Sequence, residues 1–325
     1  MRFRHTVIIA ACFLFLLPHA VFAAEGDYPP VWPDGDVTFT VPFRQGNEAD
    51  TLRALIRDAF VAQTGKKFTP RYVEGRGGAD AWARMIDDPQ NGTVLTAILL
   101  PDVYLRSLQR DSGVSLGNMA VCHIIAFMPC VLWVPAAGPK TLDEFTDAVA
   151  EKNGAFQAAG AGSYSTAQAM AKMLDRQTGV RTTYIPYPST AAAASAVSGG
   201  KAGAFWGYSV PVTVPDLPGA AFRPLAVAAA NRVPAMPDTP TFRELGIDMV
   251  QGAYLGIAVP PDTPELTREE IVEFFSDLAR SVPFRENAVR AGFTPMDVAQ
   301  EALSVFIAQE SEAAKQLAEG YILSD

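Results

Sequence analysis

The polar residues best suited to chemistry gather on three glycine-rich stretches. They are Arg44-Gln45-Gly46-Asn47, Glu74-Gly75-Arg76-Gly77-Gly78 and Gly160-Ala161-Gly162-Ser163. Glycine lets backbone N–H groups converge on an anion with no Cβ in the way. A helix starting directly after such a turn adds unpaired N–H groups and a positive dipole end. Ser163, Ser165 and Thr166 supply hydroxyls beside the third stretch. That stretch is not a dinucleotide fingerprint, because Ser165 stands where the third glycine belongs, and no Walker lysine follows. The chemistry these residues suit is the holding of a small anion such as a carboxylate. Plain helix capping by serine is the simpler use of the same residues. Arg44 and Arg76 either add charge-assisted bonds or stand as solvated loop arginines.

Residues for covalent or metal chemistry are scarce. Two of the three histidines, His5 and His19, lie in the first 23 residues, which leaves His123. A His-rich metal site is thereby excluded, and a Ser-His-Asp triad would have to use His123. It sits in the apolar run Ala120 to Phe127, which reads as a buried strand with a structural histidine. There is no Gly-x-Ser-x-Gly elbow. Neither an enzyme, a metal nor a cofactor is expected. Cys122 and Cys130 are either a disulfide closing a small loop or two buried thiols.

The N-terminus has the form of an export signal. Arg2, Arg4 and His5 precede the apolar run Val7 to Leu17, and Val21 and Ala23 suit the −3 and −1 positions of a cleavage site. The run is short for a membrane span and is interrupted by Pro18. It also continues past Cys12, where a lipidated chain should turn polar. Cleavage after Ala23 leaves 24 of the 26 basic residues against 35 acidic ones, a net charge of −11 instead of −9. A chain this acidic is not expected to bind nucleic acid or an anionic membrane. Capture of an anion must then rest on local donors, not on the long-range field.

The elements that position these loops follow from hydrophobic period. Val37 to Phe43 alternates as a strand, and Leu52, Leu55, Ile56, Ala59 and Phe60 recur at helical spacing after it. Arg71-Tyr72-Val73 and Val94 to Leu100 are further strands, with a helix through Ala81, Trp82 and Met85 between them. A second such series begins near Val131 and includes strands at 155–159, 183–187, 202–206 and 223–229. Helices alternate with them, one through Ala167, Met170 and Leu174 and one from Thr190 to Val197. Leu255 to Val259 is a late strand, and two helices close the chain. The alternation signals an α/β protein of two units, each a mostly parallel sheet flanked by helices. Ligands of such sheets bind beyond the carboxyl ends of the strands, where all three glycine loops fall. The reading is one cleft between two lobes, the first built from residues 24–128 and 251–325 and the second from 129–250, after a signal segment at 1–23.

Several stretches resemble the Bug-type substrate-binding proteins of tripartite tricarboxylate transporters. Val41-Pro42-Phe43, Gly46-Asn47 and Asp50 resemble the family's first-loop motif. Tyr187 after Pro186, followed by a small-residue helix and Gly199-Gly200, is similar as well. The most specific stretch runs from Leu225-Ala226-Val227 through Asn231-Arg232 and Pro237-Asp238-Thr239-Pro240-Thr241 to Glu244-Leu245-Gly246. The resemblance implies a two-lobed Venus-flytrap fold that captures a small carboxylate in the periplasm and hands it to membrane subunits of a transporter. A ligand-presenting sensor for a histidine kinase shares that fold, and an exported hydrolase is the remote alternative. A monomer is expected. The resemblance and the loop chemistry together nominate Phe43, Arg44, Gln45, Gly46, Asn47, Asp50, Gly77, Gly78, Gly162, Ser163, Tyr164, Thr166, Tyr187, Thr190 and Tyr208 as ligand-binding residues. Trp206 either faces the cleft or packs in the core. Departures from the family pattern at Arg44, Gln45, Asn47, Thr166 and Gly203 bear on which carboxylate is bound.

Overall fold

The alternating, β-branched segment Val37–Val41 forms strand β1, and the loop after it ends at Asn47, whose side chain caps α1 (Glu48–Thr64). Asn47 Oδ1 accepts from the backbone N–H groups of Ala49 at 2.7 Å and Asp50 at 3.1 Å, satisfying donors that a helix start leaves open. The helix ends at Gly65 in a left-handed conformation, and Leu52, Ile56 and Phe60 are buried along its inner face. This computed structural model describes residues 32–210 and 221–323. The expected export signal at 1–23, with its expected cleavage after Ala23, lies outside the described residues.

The chain continues through β2 (Phe68–Tyr72), α2 (Ala79–Ala83), β3 (Val94–Leu100), α3 (Asp102–Ser107) and the long strand β4 (Ala120–Pro135). Then come α4 (Leu142–Glu151), β5 (Gln157–Ala161), α5 (Thr166–Thr178), β6 (Thr183–Tyr187), α6 (Thr190–Ser198), β7 (Ala204–Tyr208) and β8 (Phe222–Val227). The last elements are β9 (Gly252–Val259), α7 (Glu265–Arg280), α8 (Val282–Arg290), β10 (Thr294–Val298) and α9 (Gln300–Tyr321). Among the described residues, no helix is long and apolar enough to cross a membrane.

The strands run in the order β2-β1-β3-β9-β4-β7-β5-β6, with β10 and β8 also paired to β4. Parallel pairing is confined to the outer groups, β2-β1-β3 and β6-β5-β7. The strands around β4 and β9 pair antiparallel, so the sheets are mixed and not mostly parallel. The cause lies in the connections. A helix crossover returns the chain parallel, whereas β4 and β9 each run back through the sheet they join.

β4 belongs to both halves of this arrangement. Its residues up to Pro129 pair with β9, and those from Cys130 pair with β7. At the change of partners Cys130 N–H donates to Gln251 O at 2.9 Å, and Ala228 N–H donates to Cys130 O at 2.8 Å. Gly252 is required there, because a Cβ would stand 2.2 Å from the carbonyl oxygen of Met128. Cys122 and Cys130 are both buried free thiols on this one strand. Eight residues of extended chain separate them by roughly 26 Å, far beyond disulfide reach, so the small-loop bridge does not form.

His123 is fully buried on β4 and lies 2.9 Å through Nε2 from Asp297 Oδ1 of β10. Burial lowers its affinity for a proton, although Asp297 opposes the shift. Its place is the packed interior between β4, β10 and Phe275 of α7. Trp206 also packs in the core, stacked on Phe242 with ring centroids 5.9 Å apart.

Candidate functional site

The site grows from the carboxyl end of β3. All seven residues of that strand are buried, and α3 begins two residues beyond it. This short helix places Asp102 and Arg106, four residues apart, on one face. Arg106 is 1% exposed. Its Nη1 donates to Ser163 O at 2.6 Å and its Nη2 to Ala161 O at 3.1 Å. Asp102 Oδ1 accepts from both the backbone N–H and the hydroxyl of Thr166, at 2.8 and 2.6 Å. One turn of helix from the β9 half thus grips the glycine loop and the start of α5 in the β7 half.

Two glycines make room for the guanidinium. A Cβ at Gly77 would stand 2.3 Å from Arg106 Nη2, and one at Gly162 would stand 2.5 Å from Nη1. Both residues have positive φ, 62° and 73°, so space and backbone conformation demand glycine together. The glycine loops therefore flank a cation, while the N–H groups of Gly46, Gly78 and Gly162 are taken by Asp50, Gly75 and Tyr187.

Glu48, the first residue of α1 and 4% exposed, lines the same cavity as Arg106. Burial pushes its carboxyl up to about 7, while its own backbone N–H and the Thr190 hydroxyl pull the other way and the charge of Asp102 adds to the rise. Oε1 of Glu48 and Nε of Arg106 are buried without a hydrogen-bond partner among the described residues. Both side chains line one cavity, together with Phe43, Asp102, Thr190 and Tyr208. Its volume is about 10 Å³, room for a single water molecule. The Tyr208 hydroxyl is pushed well above its ordinary value by burial and by the charge of Asp102, so it remains a neutral donor at any ordinary pH.

The structure gathers only part of the nominated set on this cavity. Phe43, Asn47, Thr190 and Tyr208 line it. Gly77 and Gly162 flank Arg106, Ser163 lends it a carbonyl, and Thr166 anchors Asp102. Gly78 has φ of 98° and sits on the Trp82 ring. Gly46 N–H donates to Asp50 Oδ2 at 2.9 Å, and Asp50 Oδ1 also accepts from Arg53 and Tyr72. Asp50 thus orients the loop before α1. Tyr187 accepts from Gly162 N–H through its carbonyl at 2.7 Å, and Tyr164 N–H donates to Gln168 Oε1. Arg44 and Gln45 point away into solvent, with Arg44 paired to Glu74 at 3.1 Å. Arg76 is held by Asp80 at 2.6 Å and by the carbonyl of Asp111.

Glu48, Asp102 and Arg106 were not among the residues that the sequence nominated. The signal for Asp102 and Arg106 was present, since both follow directly on the carboxyl end of an apolar strand, where ligands of α/β sheets bind. Glu48 carried no such signal, because an acidic residue in a first helical turn is ordinary capping chemistry. A wider groove of about 560 Å³ lies elsewhere, lined by Arg223, Met236 and Pro237, and none of the three glycine loops reaches it.

Comparison with known proteins agrees with this architecture. A Rhodopseudomonas palustris protein solved with adipate superposes with a TM-score of 0.82 at 21% identity, covering 89% of this chain and 97% of that one. MatC from the same organism, solved with malate, gives 0.77 at 24% identity over 89% of this chain and 100% of that one. These likenesses establish a two-lobed periplasmic-binding-protein fold. Among curated sequences, a UPF0065 protein from the TAR-I ttuE–ttuC' intergenic region of Agrobacterium vitis is 23% identical over 82% of this chain and 77% of its own length. The family described as tripartite tricarboxylate transporter family receptor matches residues 102–322. The chain belongs to the tripartite tricarboxylate transporter family receptors.

Proposed function

We propose that this protein captures a small carboxylated compound outside the cytoplasm, between its two lobes, and delivers it to the membrane subunits of a tripartite tricarboxylate-type transporter. The observation that carries the reading is the cavity itself. The starts of α1 and α6 and the loop before α5 meet there beside a buried guanidinium. Helix starts and an arginine favour an anion by the same electrostatics. The neighbours solved with malate and adipate support a carboxylate as that anion.

In this reading residues 24–128 and 251–325 form one lobe and 129–250 the other, with hinges near 125–135 and 245–255. The exchange of partners by β4 at Pro129 and Cys130, opposite Gln251 and Gly252, supports those limits. Phe43, Asn47, Thr190 and Tyr208 form the wall, and the loops bearing Gly46, Gly77, Gly78, Gly162 and Ser163 border it. Arg44 and Gln45 stand at the rim. A cavity of about 10 Å³ admits no organic acid, so the lobes open to load. The protein acts as a monomer that binds without turnover, after export to the periplasm and cleavage beyond Ala23.

The test is native mass spectrometry of the exported protein, followed by calorimetry against a panel of mono-, di- and tricarboxylates. A retained acid, a mature chain starting at Ala24 and micromolar or tighter binding are the expected results. Scattering should show a smaller radius of gyration with ligand. A protein that binds no carboxylate in the panel overturns the proposal.

A further inference from the structure

The cavity walls contain a donor and an acceptor that the protein leaves unused. Arg106 Nε and Glu48 Oε1 are both buried and unpartnered among the described residues, and both side chains line the same space. A buried polar atom without a partner is costly and rare, so each calls for a complementary atom from outside the fold. The donor asks for an oxygen. In its ionised form the acceptor asks for an N–H or O–H, which a plain carboxylate cannot give.

Charge narrows the choice. One guanidinium, Arg106, and two carboxyl groups, Glu48 and Asp102, line the cavity, and Arg106 is the only cation on its wall among the described residues. Asp102 is already committed, holding the start of α5 through Thr166. A dicarboxylate would bring two more negative charges into a closed, poorly solvated space with one cation to meet them. A molecule with its own ammonium would bring a partner for Glu48 along with the carboxylate that suits Arg106.

We infer that the ligand is an amino carboxylate, whose protonated amine is recognised by Glu48 while its carboxylate meets Arg106. The inference rests on the carboxylate reading above and specifies it. Burial holds the isolated Glu48 carboxyl near neutrality, and an ammonium beside it restores the charged form. Glu48 then discriminates between ligands of equal length that differ only at the amine.

The experiment uses the full exported chain and three acids on one skeleton, namely succinate, malate and aspartate, with the one-carbon-longer series glutarate, 2-hydroxyglutarate and glutamate beside them. Calorimetry at about pH 8 should give the amino acid at least about tenfold tighter binding than the plain acid in the skeleton that fits. Glu48→Gln keeps the side-chain shape, and it should cut the preference for the amino acid over the plain acid by about tenfold or more. Equal or tighter binding of the plain or hydroxy acid overturns the inference and leaves the carboxylate reading intact. An amine preference that survives in Glu48→Gln also overturns it. If no acid of the broader carboxylate panel binds, the carboxylate reading itself falls. Comparison of the acids on the parent chain decides the inference even if the variant does not fold.

Discussion

Arginines in two settings within the N-terminal third of the chain have opposite fates. Arg44 and Arg76 lie on the glycine loops that sequence singles out, yet each is exposed and pairs with a nearby carboxylate, Glu74 or Asp80. Arg106 lies on a short helix without any motif, yet it is buried between two glycines and bonded to the carbonyls of Ser163 and Ala161. An exposed ion pair in water is worth little, because solvent and salt screen it and two long side chains must be ordered. A buried guanidinium stripped of water interacts strongly with whatever meets it. The lesson is that a charge gains its role from desolvation and fixed geometry, not from the loop that carries it.

The largest effect should come from removing the buried cation. Arg106→Met leaves the volume and deletes the charge, and ligand affinity should fall by about 3–5 kcal/mol, the usual result of breaking a buried charge pair. Calorimetry with the co-purifying acid reads it directly, and a loss below about tenfold would equate Arg106 with its exposed counterparts.

Glu48 sharpens the comparison from the acidic side. Its pKa is near 4.5 when unfolded and about 7 when folded, so the folded state binds the extra proton. Its contribution to stability is therefore full below pH 4.5 and declines as pH rises to about 7. The decline amounts to about 3 kcal/mol, because each tenfold change in proton affinity is worth about 1.4 kcal/mol. Glu48→Gln removes that penalty. Urea unfolding of parent and variant at about pH 4.5 and about pH 8 should show the variant gaining on the parent by that amount at the higher pH. A parent–variant difference that does not change with pH would mean that Glu48 is not held away from water.

The smallest effect is expected at the exposed arginine. Arg44→Ala should alter affinity and stability by less than about 1 kcal/mol. A loss as large as that of Arg106→Met would overturn the contrast between the two regions.

Much of the fold was legible in the chain. The alternation of Val37–Val41, the wholly apolar Val94–Leu100 and the helical face of Leu52, Ile56 and Phe60 announced their elements. Periodicity missed α3, which at six residues is too short to repeat its pattern. It also missed β10, where Pro295 and Asp297 interrupt any alternation. The antiparallel pairing of β4 and β9 was hidden because strand direction depends on which partner the chain returns to. Of the cavity lining, Phe43, Asn47, Thr190 and Tyr208 were nominated through the loop pattern and the family resemblance. Asp102 and Arg106 were not, since their partners lie more than fifty residues further along the chain.

Sequence by itself determined the α/β class, the glycine turns with their positive φ and the scarcity of residues for covalent chemistry. Each of these follows from local sterics, hydrophobic period or a count of side chains. Only the tertiary structure decided that Cys122 and Cys130 stay apart on one strand, that Arg44 faces water, and that Glu48 and Arg106 line one buried cavity. Distance along the chain says nothing about distance across a cleft, and a side chain's charge acquires its strength only when the fold excludes water from around it.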